Sequence, residues 1–211
     1  MNVHYFTFGP FQENTYILFD DTKECIIIDP GCYSPAEETK LKTFISQNQL
    51  IPKRLILTHA HIDHIFGNQF VYETWGLLPE VHSSEVQLIR QVTQYASMFG
   101  VSAKPSPDPG RLIEPGEIIT FGNTRLETFH TPGHSPGSIT YLHRESLQAI
   151  TGDVIFQGSI GRTDLPGGSF PVLMESIQQV ILKFPGETKL YSGHTPVTTV
   201  LEEIRYNPFL Q

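Results

Sequence analysis

The sequence predicts an α+β protein: two β-sheets packed together with helices outside them, an αββα layering. Three observations predict it. Short runs rich in β-branched and aromatic residues recur in both halves of the chain, separated by turn residues. Helical stripes accompany those runs in each half. The 211 residues, 39% hydrophobic and 17% charged, suit one core-bearing domain over residues 1–211 rather than a disordered chain.

In chain order, Val3–Phe8 alternates as a strand and Gly9-Pro10 breaks it. Thr15–Phe19 and Cys25–Ile28 have strand composition, and Asp29-Pro30-Gly31 ends the second of them. Ser34-Pro35-Ala36-Glu37 opens a helix: Ser34 caps, Pro35 fits the first turn and Glu37 completes a capping box. Leu41, Phe44 and Ile45 form its apolar stripe. Arg54–Thr58 is a strand running into a group of histidines, and Phe66 and Phe70 mark an amphipathic helix. Residues 83–99 are helical, and the three prolines of Lys104–Gly110 make a loop. Ile118–Phe121, Arg125–His130, Ser138–Leu142 and Gln148–Thr151 are a second set of strands. Leu173, Ile177, Val180, Ile181 and Phe184 mark a helix stopped by Pro185-Gly186. Lys189–Ser192 is a strand, and Thr198–Tyr206 a final helix ended by Asn207-Pro208.

Composition excludes several functions. The net charge of −8 disfavours non-specific nucleic-acid binding and a polybasic membrane surface. No apolar run approaches the roughly 18 residues that span a bilayer. The opening MNVHYFTFGP lacks the basic start and apolar stretch of a secretory signal, so a cytoplasmic protein is expected. Cys25 and Cys32 make no disulfide framework, and Cys25 lies in an apolar run.

The nine histidines are arranged rather than scattered. Thr58-His59-Ala60-His61-Ile62-Asp63-His64 places four metal donors in six residues after a strand. His59 and His61, two apart in an extended segment, point to one face. Asp63 and His64 follow a turn and leave the backbone in another direction. One tetrahedral ion cannot readily take all four, whereas two neighbouring ions can. Downstream, His134 lies in a turn between strands, Asp153 follows the strand Gln148–Thr151, and His194 follows Lys189–Ser192. Two four-coordinate ions need eight protein donors, and these seven suffice if one carboxylate bridges. Imidazole with carboxylate suits Zn²⁺, and also Fe or Mn.

These motifs resemble those of the metallo-β-lactamase superfamily. His59-Ala60-His61-Ile62-Asp63-His64 is similar to its His-x-His-x-Asp-His signature. Thr131-Pro132-Gly133-His134-Ser135-Pro136-Gly137, Thr151-Gly152-Asp153 and Ser192-Gly193-His194 are similar to its later motifs, in order. The resemblance implies an αββα sandwich of two mixed sheets with outer helices. It assigns His59, His61 and His134 to a first metal, Asp63, His64 and His194 to a second, and Asp153 to both. Within the superfamily, Ser159–Gly168 and the tail residues Thr198-Thr199 and Asn207-Pro208-Phe209-Leu210 resemble the small glyoxalase II-like hydrolases. That small form lacks the C-terminal domain with which full-length glyoxalase II helps hold glutathione.

The function so implied is metal-dependent hydrolysis of a small thioester, as a hydroxyacylglutathione hydrolase performs it, by a hydroxide bridging two divalent ions. A thiolate leaving group needs no proton, whereas amide hydrolysis must protonate the leaving nitrogen. Asp63 and Asp153 are the catalytic carboxylates of this reading, and Arg162 is a candidate contact for an anionic substrate. The alternative for Arg162 is an ion pair with Asp164. Phe11, Tyr33 and Phe156 are candidate pocket aromatics. His82, His130 and His143 are assigned surface or supporting roles. Rival readings are a mononuclear iron persulfide dioxygenase using His59, His134 and Asp153, a hydrolase of another ester, lactone or amide, a β-lactamase, and a non-catalytic binding module. The oligomeric state, the acyl group and the carrier thiol stay open.

Overall fold

The computed structural model describes residues 1–211, which divide into two compact units: 1–113 with 120–124, and 114–119 with 125–211. In the first unit, strands β1 (Asn2–Phe8), β2 (Glu13–Phe19) and β3 (Glu24–Ile28) form an antiparallel meander. Helix α1 (Pro35–Gln47) leads to β4 (Ile51–Ile56), which pairs parallel to β3. The Ser34–Glu37 capping box is present, and the Glu37 carboxylate also accepts from the Gly9 N–H at 3.0 Å. Leu41 and Ile45 are buried, each contributing roughly 1.5–3 kcal/mol; Phe44 packs at the edge of the same core.

Helices α2 (Ile62–Ile65) and α3 (Asn68–Trp75) replace the single helix expected around Phe66 and Phe70. The break falls at Gly67, whose N–H donates to the Pro30 carbonyl at 2.6 Å. The helical stretch 83–99 is a 3-10 turn (Ser83–Glu85) followed by α4 (Val86–Arg90) and α5 (Val92–Met98). Two strands absent from the sequence prediction, β5 (Pro79–Val81) and β6 (Arg111–Leu112), extend the sheet in parallel, giving the order β1-β2-β3-β4-β5-β6. At three and two residues they are too short to show a period-2 pattern.

The second sheet has the order β14-β13-β10-β9-β8-β7. Its strands are β7 (Ile118–Phe121), β8 (Thr124–His130), β9 (Ile139–His143), β10 (Gln148–Gly152), β13 (Lys189–Ser192) and β14 (Thr198–Thr199). A separate hairpin joins β11 (Ile155–Phe156) and β12 (Ser159–Ile160). β8, β9 and β10 run antiparallel, and β13 pairs parallel to β10. Helix α6 (Phe170–Gln179) lays Leu173 and Ile177 into a core with Leu142, Ala149 and Leu190. Thr198-Thr199, read from sequence as a helix start, is a short strand, and Thr199 caps α7 (Val200–Tyr206) by accepting from Glu202 N–H. Both sheets are mixed. No helix is long and apolar enough to cross a membrane.

Candidate metal centre

In the first unit the chain leaves β4, and His59, His61, Asp63 and His64 follow on the segment entering α2. His59 and His64 are fully buried, with ring centroids 4.1 Å apart. His59 Nε2 lies 3.1 Å from His61 Nδ1, and His64 Nε2 lies 3.9 Å from Asp63 Oδ2.

One buried carboxylate that the sequence reading missed arranges this group. Asp29 follows β3 in a left-handed conformation (φ +49°), which aspartate tolerates better than most residues. Its Oδ1 accepts from the Thr58 N–H at 2.7 Å, and its Oδ2 from the Thr58 hydroxyl at 2.6 Å and from His64 Nδ1 at 3.1 Å. Because the Thr58 hydroxyl donates to Asp29, it accepts from His59 Nδ1 at 3.0 Å. Both rings therefore carry hydrogen on Nδ1 and, as neutral imidazoles, present a lone pair at Nε2. Second carboxylates support the segment from outside: Glu85, buried, accepts from the Ala60 N–H at 2.8 Å, and Glu13, also buried, lies beside His64 Nδ1. Burial pushes the Glu13 carboxyl well above the usual carboxylate range.

In the second unit the donors come one from each of three strand ends. His134 follows β8, Asp153 follows β10 and His194 follows β13. His134 Nδ1 donates to the Arg162 carbonyl at 2.8 Å, so in the neutral ring its Nε2 also bears a lone pair. That Nε2 is 3.5 Å from Asp153 Oδ2, and His194 Nε2 is 3.3 Å from the same oxygen. Gly161 packs here against the Asp153 backbone: a methyl on it would run into the Asp153 carbonyl and come within 3.1 Å of His134 Nδ1.

The donor chemistry fits a divalent cation. In each unit, acceptor atoms face one another with their donating sides turned away: His64 Nε2 toward Asp63 Oδ2, and His134 Nε2 toward Asp153 Oδ2. Facing lone pairs repel unless a positive charge lies between them. Fixing the far nitrogen of an imidazole by hydrogen bonding is the common way proteins orient a metal ligand.

The remaining candidates fall as follows. Arg162 pairs through both guanidinium arms with Asp164, at 2.6 and 2.7 Å, so the ion-pair alternative is the one observed. That bond holds the exposed Asp164 carboxyl at about 2. His82 accepts from Ser84 N–H, His130 Nε2 donates to the Pro136 carbonyl, and His143 bonds Ser146. Tyr33 lines a cavity of about 200 Å³ with Cys32, Glu38, Phe66 and residues Ser102–Lys104. Phe11 packs on Phe66 and Phe99, and Phe156 edges onto His194. Cys25 and Cys32 are free and buried, and desolvation raises both thiols, Cys25 to about 12.

The family model described as "Metallo-beta-lactamase superfamily" matches residues 8–194. The chain belongs to the metallo-β-lactamase superfamily. A "Probable metallo-hydrolase YqgX" of Bacillus subtilis is 41% identical over 96% of this chain and 94% of its own length. A "Hydroxyacylglutathione hydrolase GloC" of Haemophilus influenzae is 35% identical over 100% of this chain and 98% of its own. Among solved structures, BLEG-1, described as a B3 metallo-beta-lactamase, superposes with a TM-score of 0.92 at 36% identity, covering 100% of both chains. TTHA1623, solved in a di-iron-bound form, gives 0.89 at 36% identity, covering 99% of this chain and 100% of that one. The protein thus has the metallo-β-lactamase fold, α+β with two mixed sheets and helices. Membership carries metallo-hydrolase chemistry and divalent-metal binding with it.

Proposed function

We propose that this superfamily member hydrolyses a small thioester of the hydroxyacylglutathione type with two divalent metal ions. His59, His61 and His134 would hold one ion and Asp63, His64 and His194 the other, with Asp153 shared between them. Zinc is the expected metal, and iron or manganese fits the same donors. The observation that carries the reading is the fixed tautomer of His59, His64 and His134, each committed at Nδ1 and so presenting Nε2 as a ligand atom. The relative named hydroxyacylglutathione hydrolase, matched along the whole chain, supports the substrate class.

Held by these residues, a divalent metal would supply Lewis acidity and would lower the pKa of water from about 15.7 to about 7. The chain's own residues hold that chemistry in place. Asp29 and Thr58 prevent rotation of two imidazoles, and the Arg162 carbonyl does the same for His134. Arg162, already paired with Asp164, retains further guanidinium donors that an anionic substrate would engage. β-Lactam hydrolysis is the second reading, favoured by the BLEG-1 superposition. It ranks lower because a leaving nitrogen needs an acid, and His82, His130 and His143 are engaged in local hydrogen bonds.

Metals per chain should be counted, and the zinc-loaded protein assayed against lactoylglutathione, coenzyme A thioesters and a chromogenic β-lactam. Expected are two metals per chain and thioester turnover that chelation removes and zinc restores. Metal-loaded protein that cleaves the β-lactam and no thioester would overturn the substrate class. One iron per chain with oxygen uptake on a persulfide would overturn hydrolysis.

A further inference from the structure

The turn Asp29-Pro30-Gly31 meets the segment bearing Asp63 and His64 at three places. Asp29 Oδ2 accepts from His64 Nδ1 at 3.1 Å. The Pro30 carbonyl accepts from the Gly67 N–H just beyond α2 at 2.6 Å. Gly31 backs onto the Asp63 carbonyl so closely that a methyl there would come within 2.7 Å of the oxygen. The position of this turn therefore sets the position of α2 and of its two metal donors.

The turn is itself held from β2. The Gly31 N–H donates to Thr15 Oγ1 at 2.8 Å, and the Thr15 hydroxyl donates onward to Glu13 Oε2 at 2.9 Å. Glu13 and Thr15 are both buried, at 1% and 0% exposure. A methyl on Gly31 would also collide with the Glu13 carboxylate, so the acid fills the space beneath the turn. The other Glu13 oxygen makes no hydrogen bond and lies 3.9 Å from His64 Nδ1. Burying a carboxyl group is unfavourable, and an apolar residue would pack a sheet interior at lower cost. The acid is explained by what it holds.

We propose that Glu13 and Thr15 are positioning residues for the metal site: they anchor the 29–31 turn against α2, and through it fix the direction of Asp63 and His64. The inference rests on the reading that Asp63 and His64 ligate metal.

The test compares wild type with Thr15→Val, Glu13→Met and Glu13→Gln. It measures metals per chain, zinc affinity by competition with a chromogenic chelator, and the Tm of the metal-free protein. Thr15→Val is isosteric and breaks the chain at its centre, so it carries the test if Glu13→Met does not fold. In Thr15→Val and Glu13→Met, one zinc equivalent should bind as in wild type and the other about 10–100-fold more weakly. Glu13→Gln, which keeps an acceptor for Thr15, should restore the weakened equivalent. Two equivalents bound with wild-type affinity by Thr15→Val would overturn the inference alone. So would equal weakening of both equivalents in step with a lower Tm, Glu13→Gln included. Wild-type protein that binds no zinc would overturn the ligand assignment, and the inference with it.

Discussion

The two units hold their proposed metal donors by different means. In the first, four donors lie within six residues, and buried side chains orient them: Asp29 through Thr58 and His64, Glu85 through the Ala60 amide. In the second, three donors come from three strand ends, and the backbone does the orienting: the Arg162 carbonyl fixes His134, and Gly161 packs on the Asp153 carbonyl. A cluster that is local in sequence cannot be aimed by strand geometry alone, because neighbouring residues share one short stretch of backbone. It needs side chains from elsewhere to set each ring. Donors on separate strands are already spaced by the sheet, and one carbonyl suffices to set a ring.

This contrast can be broken or sharpened in order of effect. The largest loss should follow Asp153→Asn, since His134 and His194 converge on that carboxylate. Turnover should fall on the order of 10³-fold, read from kcat with metals counted alongside; two tightly bound metals and near-normal turnover would remove Asp153 from the centre.

Next is Asp29→Ala, which strips acceptors from Thr58 and His64 together. Urea unfolding of the metal-free protein should show about 3 kcal/mol lost, and metal affinity should drop about 10–100-fold. Gly161→Ala probes the backbone-built side. It should weaken metal binding about tenfold through His134 and Asp153, and a loss of stability matching Asp29→Ala would erase the contrast.

The buried thiols give a smaller, kinetic effect. With Cys25 raised to about 12 by desolvation, and Cys32 raised as well, an aromatic disulfide reagent at pH 8 should label neither thiol until the protein is unfolded.

The smallest effect concerns Asp164. Its folded pKa of about 2 lies below the ordinary 3.8 because Arg162 hydrogen-bonds the ionised form. A depressed carboxyl stabilises the fold above its unfolded pKa and loses that contribution as pH falls from 3.8 through 2. The Asp164 carboxyl carbon shift should titrate near 2 in wild type and return toward the ordinary range in Arg162→Gln.

Legibility followed the range of the interactions. The Ser34–Glu37 capping box, the alternation of β1 and the His59–His64 cluster are local patterns, and each is visible in the chain. Asp29 is not: Asp29-Pro30-Gly31 reads as a turn, and the partners that give the acid its role lie 29 and 35 positions away. An aspartate closing a strand of isoleucines was the only available signal. Glu13 and Thr15 look like ordinary strand residues until Gly31 is brought onto them. β5, β6, β11 and β12 were missed because two- and three-residue strands carry no periodicity, and their pairing is set by neighbours.

By itself, the sequence determined the α+β class, the donor types and the order in which they occur, because capping, hydrophobic periodicity and motif spacing act over a few residues. Tertiary structure alone decided which nitrogen of His59, His64 and His134 is hydrogen-bonded and which is left for a ligand. That choice belongs to Asp29, Thr58 and the Arg162 carbonyl; the first and last of these approach their rings only when distant strands pair and turns pack.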